Sequence, residues 1–343
     1  MSKDKTRKIL LSLPLIPVAI AFFMLAATLF PFSDNGMAGT ATLVEQTYGY
    51  SIEADGKPMV YFKEIGDSLS FQEILPMDSG KAVTTVLTEG CWVNDMPLMP
   101  SCRGRILVPD CNPQADSMVL IVNSRIHECI KKETERQHRI LRRKADKAAE
   151  LDYYLGTHSV QDDGFNSMAE YAVRIQAEKK KTERLIAILE KALDAKHTAI
   201  KRHTTYNLIT PGTGKKTSRT ACLETGEKYT HGFITVQTKD RKVPSDAAAI
   251  YINRVIRLHA ATCDTVFAAG ICGTGTRGFS PEKARTMISG GHAADAGKHN
   301  MPHLLVPNGS PVFSKYGFFL GISKDGRILD VKKKKDTDNS KRQ

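Results

Sequence analysis

Three histidines, His292, His299 and His303, lie within one short stretch with Asp295 among them. Imidazole and carboxylate are zinc ligands and acid–base groups, yet spacings of seven and four residues match no standard ligand frame, and glycine-rich loops hold such groups poorly. Locally hydrogen-bonded histidines are expected instead. Gly273–Gly278 fits G-x-G-x-x-G and Asp295 follows at about the right distance for a dinucleotide site, but Pro281 and a Thr-Met-Ile strand stand where a long amphipathic helix is needed. Pro211–Ser218 resembles a phosphate loop only in part, with Ile209 at the first required glycine and Lys216 in place of the Ser/Thr that binds magnesium. An exposed turn is the better reading. The seven cysteines, Cys91, Cys102, Cys111, Cys129, Cys222, Cys263 and Cys272, form no C-x-x-C pair. That argues against a zinc knuckle, and their odd number leaves at least one thiol free or intermolecular. Pairing among Cys91, Cys102 and Cys111 and burial as reduced thiols both stay open. No cofactor and no metal is expected.

These groups must be carried by a chain of 343 residues, 41% hydrophobic, which has enough apolar content to fill a core. Its net charge of +12 is confined to three segments: residues 1–8 contribute +3, residues 124–206 contribute +5 and residues 324–343 contribute +4. The remainder is neutral, so a folded basic groove for nucleic acid is not expected. Within that remainder residues 9–123 are acidic and residues 207–323 are basic, as in two halves that dock.

Residues 40–123 read as short β segments: Thr47–Ile52, Met59–Phe62, Ala82–Leu87, Cys91–Val93, Ile106–Val108 and Met118–Val122. A barrel or sandwich follows from that spacing. Residues 125–155 and 167–204 are instead rich in Glu, Lys, Arg, Ala and Leu, and are separated by Gly156–Gly164. They predict two helices in an antiparallel hairpin with arms on the order of 45–55 Å at 1.5 Å per residue. A stripe of Tyr171, Ile175, Thr182, Leu185, Ile186, Leu189 and Leu193 supplies the inner face of the second arm. Residues 220–323 return to strands, at Gly232–Val236, Ala249–Ile252, Thr265–Ala268, Thr286–Ile288, His303–Val306, Val312–Phe313 and Phe318–Ile322. The tail from Lys332 has too little apolar content to fold.

Ile9–Ser33 is uncharged and long enough to supply the roughly 20 apolar residues that a membrane crossing needs. Lys3, Lys5, Arg7 and Lys8 precede it, which predicts a cytoplasmic N-terminus and an extracytoplasmic, periplasmic body. A cleaved signal peptide is the alternative, disfavoured by the length of the run and by the lack of a clean A-x-A site.

The segment Leu305–Phe313 with Lys315–Ile322 resembles the nucleophile segment of trypsin-like (chymotrypsin-fold) serine proteases. Pro244–Ile250 is similar to the segment that carries that family's catalytic aspartate, at Asp246, and Thr88–Asp95 loosely resembles the strand before its catalytic histidine. The resemblance covers residues 45–123 and 220–330 and implies a mainly β fold of two β-barrels with the helical hairpin inserted, to which the apolar run adds an N-terminal transmembrane helix. The boundaries implied are a stub at 1–8, an anchor at 9–32, first-barrel strands at 40–123, the hairpin at 124–206, the remaining barrels at 207–330 and a basic tail at 331–343.

The chemistry does not travel with the pattern. A triad needs a hydroxyl, an imidazole and a carboxylate. Asn308 occupies the serine position, Met99–Arg105 in the histidine region contains no histidine, and Ser310 falls two residues late, directly before Pro311. The expected function is a membrane-anchored pseudoprotease that binds a protein or peptide through groove or hairpin, with a second copy among its partners and no nucleic acid. The rival is a hydrolase using Ser310 with a recruited His231, His292 or His303, and a third reading is an envelope structural protein.

Overall fold

The computed structural model describes residues 31–76, 82–94, 100–211, 217–252, 264–276, 278–294 and 297–334, together with Phe22. A short helix α1 (Asp34–Ala38), capped by Ser33 Oγ, leads into β1 (Ala41–Ala54), β2 (Lys57–Phe62), β3 (Glu64–Ile65), β4 (Phe71–Gln72), β5 (Leu75–Pro76), β6 (Thr84–Asn94) and β7 (Arg105–Pro109). Three helices follow, α2 (Ala115–Asn123), α3 (Ile126–Thr157) and α4 (Phe165–Leu193). The chain then returns to strands: β8 (Thr198–Pro211), β9 (Thr217–Lys228), β10 (Phe233–Thr238), β11 (Ile250–Tyr251), β12 (Thr265–Ile271), β13 (Thr286–His292), β14 (Pro311–Ser314), β15 (Phe319–Lys324) and β16 (Arg327–Leu329).

Six strands close an antiparallel barrel in the spatial order β1, β6, β7, β10, β9, β8 and back to β1. β1, β6 and β7 are successive neighbours and β8 comes back beside β1, which is a Greek key whose long return connection is the helical excursion. Period-two alternation fills the barrel. Trp92 on β6, Ile106 and Val108 on β7, and Ile234 and Val236 on β10 join Val44, Tyr206, Leu208 and Cys222 in one buried cluster. Their sequence neighbours Cys91, Val93, Leu107 and Phe233 face the other way, into a cluster with Phe313, Phe319 and Ile322.

A second sheet has the order β13-β12-β14-β15-β16. Val266, Ala268, Val312 and Leu320 line one of its faces, while Ala269, Phe313 and Phe319 line the other. Of the two barrels expected, the described residues form one closed barrel, and the second sheet is an open order of five strands. The strand expected at His303–Val306 is a turn, because Pro302 and Pro307 bracket it and the N–H groups of Leu305 and Val306 both donate to Pro302 O. Isolated bridges at Ala293–His299 and Lys298–Arg327 tie the β13 end of the sheet to the β16 end.

The chain divides into two compact units, residues 1–46, 86–111 and 205–343 in one and residues 47–85 and 112–204 in the other. In the second unit α3 and α4 form the expected hairpin. Ala148, Leu151, Ala172 and Ile175 pack together near its tip, and Leu185, Ile186 and Leu189 continue the buried stripe of α4. At 1.5 Å per residue the two arms are about 48 and 44 Å long.

Three boundaries differ from expectation. Met118–Val122 is helical, not a strand: short apolar runs are ambiguous by pattern alone, and here Ala115 and Val122 are buried while Leu120 and Ile121 are exposed. The second arm ends at Leu193 rather than at residue 204, since the β-branched and aromatic run from Thr198 to Tyr206 belongs to β8. The described part of the tail is ordered: Val331 is buried, Thr230 N donates to Lys332 O, Lys334 N donates to Lys228 O, and Lys333 pairs with Glu227 at 2.8 Å. Among the described residues no helix is long and apolar enough to cross a membrane, and the run Ile9–Ser33 lies outside them except for Phe22 and residues 31–33.

Candidate functional site

The turn before β14 carries the residues that the sequence singled out. Pro307 and Gly309 are buried, and Gly309 has φ +106°, a backbone conformation that side chains disfavour. A Cβ at this position would overlap the carbonyl oxygen of Glu89 on β6 and meet the Pro109 ring at 3.2 Å. Only glycine lets the turn lie this close to the barrel strands. Gly309 N donates to Ser323 O and Ser323 N donates to Ser310 O, which locks the turn to β15.

Ser310 faces inward. It is fully buried and its hydroxyl donates to Pro307 O at 2.8 Å. Asn308, at the motif's nucleophile position, is half-buried with its carboxamide occupied twice: Nδ2 donates to Asp325 Oδ1 at 3.1 Å and Asp325 N donates to Oδ1 at 2.8 Å. Asp325 and Gly326 both have positive φ and form the turn between β15 and β16. Asp325→Ala is expected to cost about 1 kcal/mol, the ordinary worth of a hydrogen-bonded pair of this kind, as read from urea unfolding.

Beneath this turn sits a buried polar group that sequence reasoning passed over. Glu89 has no exposed surface; its Oε2 accepts Ile271 N at 2.7 Å and its Oε1 receives no hydrogen bond among the described residues. Burial pushes its carboxyl up to about 8, against the opposing pull of the Ile271 N–H and the nearby Ser310 hydroxyl. Glu89 is therefore mostly a neutral acid near pH 7. Cys91, two residues along the same strand, is raised first by burial and then by Glu89, so its thiol is not a nucleophile. His299 Nε2 lies 2.9 Å from the buried Ser323 hydroxyl, and burial lowers the imidazole's affinity for a proton.

Asp246 lies elsewhere in the same unit. It stands exposed at a cavity of about 180 Å³ whose lining includes Gly39, Trp92, Ile209, Ala247 and Ile271, and Asn308 is not part of that lining. Among the described residues no hydrogen bond joins the two motif-matched positions. Pro109 lies beside Gly309, the next residue Asp110 donates its N–H to Gly232 O, and Lys324 Nζ donates to His231 O at 2.6 Å. Of Asp110, His231, Lys324 and Asp325, Asp325 is the residue hydrogen-bonded to Asn308 among the described residues. Of these only His231 was a sequence candidate, although Asp325-Gly326 between two apolar runs is a hairpin signal that could have located its strand pair.

The remaining histidines do not converge. His292 Nδ1 lies 3.2 Å from Asp264 O, His303 is exposed, and Asp295 falls outside the described residues. Among the described residues no group of three His, Cys, Asp or Glu side chains is placed to hold a metal ion. The described residues of the G-x-G-x-x-G segment lie in turns that lead to the short 3-10 turn Pro281–Lys283, and among the described residues there no helix N-terminus is placed to receive a phosphate. Cys91, Cys102, Cys129, Cys222 and Cys272 form no disulfide among the described residues. Taken together, the turn offers a carboxamide, a neutral buried acid and a sealed hydroxyl. Such a set hydrogen-bonds but has no activated nucleophile. Comparison of the chain with protein-family profiles, with curated proteins and with solved structures returns no match in any of the three, so function must be argued from this geometry.

Proposed function

We propose that the protein is a pseudoprotease of trypsin-like fold, held at an extracytoplasmic membrane face by residues 9–32, which binds a protein or extended peptide without cleaving it. The carrying observation is the fate of the two candidate nucleophile positions. Ser310 is fully buried with its hydroxyl directed to Pro307 O, and Asn308 is an amide fixed by Asp325. General-base activation needs an imidazole within hydrogen-bond reach of an accessible hydroxyl, whereas the Ser310 hydroxyl is buried and among the described residues no imidazole is hydrogen-bonded to Ser310 or Asn308. The Greek-key barrel followed by a second antiparallel sheet, with the Pro-Asn-Gly-Ser-Pro turn entering β14, supports the likeness to that fold. The Asn308–Asp325 pair and the edge strand β13 suit main-chain recognition of an extended segment.

The full chain should not react with a serine-directed fluorophosphonate, and Asn308→Ser should stay unreactive because the base is still absent. Labelling at Ser310 that disappears in Ser310→Ala, or proteolysis gained by Asn308→Ser, would sink the pseudoprotease reading and favour the hydrolase.

A further inference from the structure

The helical hairpin carries a segregated charge that the barrel reading leaves unused. Residues 139–147 of α3 hold five Lys/Arg and one Asp, and residues 178–184 of α4 hold four Lys/Arg and two Glu. The two stretches lie side by side, since Lys144 Nζ is 3.3 Å from Glu178 and 3.2 Å from Thr182 Oγ1. They make a basic girdle partway along the arms. Arg139, Arg142, Arg143, Lys180 and Lys181 are exposed and form no ion pair among the described residues. Residues 148–164 at the tip hold four carboxylates, Glu150, Asp152, Asp162 and Asp163, and no Lys or Arg. The tip and its approach also expose large apolar side chains: Tyr153 is 75% exposed, Val160 69% and Val173 71%.

We propose that two copies of this chain pair through their hairpins, laid antiparallel so that the acidic tip of each meets the basic girdle of the other. One two-fold axis satisfies both contacts at once, because tip and girdle are separated by about 20 Å along the same rod, at 1.5 Å per residue. Tyr153, Val160 and Val173 lie on or between the charged zones and would be covered. A polyanion or an anionic membrane also suits the girdle but would be repelled by the tip, whereas a second copy accommodates both signs. Pairing of this kind is driven by exposed charge over a modest area, so it weakens as salt shortens the screening length. It does not depend on the pseudoprotease reading, since an active barrel would pair in the same way.

Sedimentation velocity on the full chain in a nonionic detergent tests the pairing. Wild type should be dimeric at ~0.03 M salt, with dissociation strengthened at least tenfold at ~0.5 M. A tip variant (Glu150→Lys, Asp152→Lys, Asp163→Lys) and a girdle variant (Arg139→Glu, Arg142→Glu, Arg143→Glu, Lys180→Glu, Lys181→Glu) should each be monomeric while keeping wild-type helical circular dichroism. Mixed one to one, they should recover the dimer, because each reversed zone then faces its complement. A wild type that stays monomeric at low salt, including one that binds phosphatidylserine vesicles instead, overturns the proposal. So does a tip variant that still dimerises, or a mixture of folded variants that remains monomeric.

Discussion

Glu89→Gln is expected to remove most of the decline in stability between acid and mildly alkaline pH. The carboxyl rises from an ordinary 4.5 to about 8 in the fold, so the native state holds this proton across that interval while the unfolded chain has already released it. The stability contributed by the neutral acid is complete below about pH 4.5, falls as pH rises and is lost above about 8. The two limits differ by on the order of 5 kcal/mol, at roughly 1.4 kcal/mol per tenfold change in proton affinity. Glutamine keeps an oxygen for Ile271 N and cannot ionise. The variant should therefore match wild type near pH 5 and exceed it by several kcal/mol near pH 9, with urea midpoints as the measure. Among the described residues the groups facing Glu89 are Cys91 on its own strand, the Ile271 N–H on β12 and the Ser310 hydroxyl before β14, and no cation is among them. Equal pH slopes for the two proteins would show that Glu89 is solvated after all.

Gly309→Ala should be the most damaging single-methyl addition in the turn. Two costs combine there: a positive φ that a Cβ resists, and overlap of that Cβ with the Glu89 carbonyl oxygen. Backbone cannot yield as the end of a side chain does. A loss of about 3 kcal/mol or more is expected, against roughly 1 kcal/mol for alanine at an unconstrained turn glycine. The Gly309 N–H to Ser323 O bond should weaken with it, so amide exchange at Gly309 and Ser323 reports the cause as well as the size of the effect. Wild-type exchange and an unchanged urea midpoint in Gly309→Ala would refute the account.

Much of the architecture could be read from residue types. The helical hairpin stood out because charged residues surround a regular apolar stripe without Pro or Gly, and most strands stood out as β-branched runs between turn residues. Reading failed where local pattern was outvoted by context. Met118–Val122 looks like a strand until flanking contacts are known, and His303–Val306 looks like one until its bracketing prolines are weighed. The site was less legible than the fold. Ser310 and Asn308 were identified by motif, but nothing in the sequence says that one hydroxyl is sealed and the other position tied to a residue seventeen places away. Glu89 was invisible because a lone acid in a strand normally faces water, and its burial is a property of the turn packed over it.

The hairpin's base has a consequence for how the barrel assembles. Asn123, at the end of α2, accepts Ile200 N through Oδ1 at 2.7 Å and donates through Nδ2 to Ile200 O at 3.3 Å. The chain thus leaves toward the hairpin and comes back to β8 through a clasp between two residues. α3 and α4 need only local contacts to form, on a timescale faster than long-range strand pairing. Once they have formed, the distant β8 is delivered beside β1 at the entropic cost of a short link instead of a long loop. The excursion acts for the barrel as a splint, and length added at its far end should slow barrel closure very little.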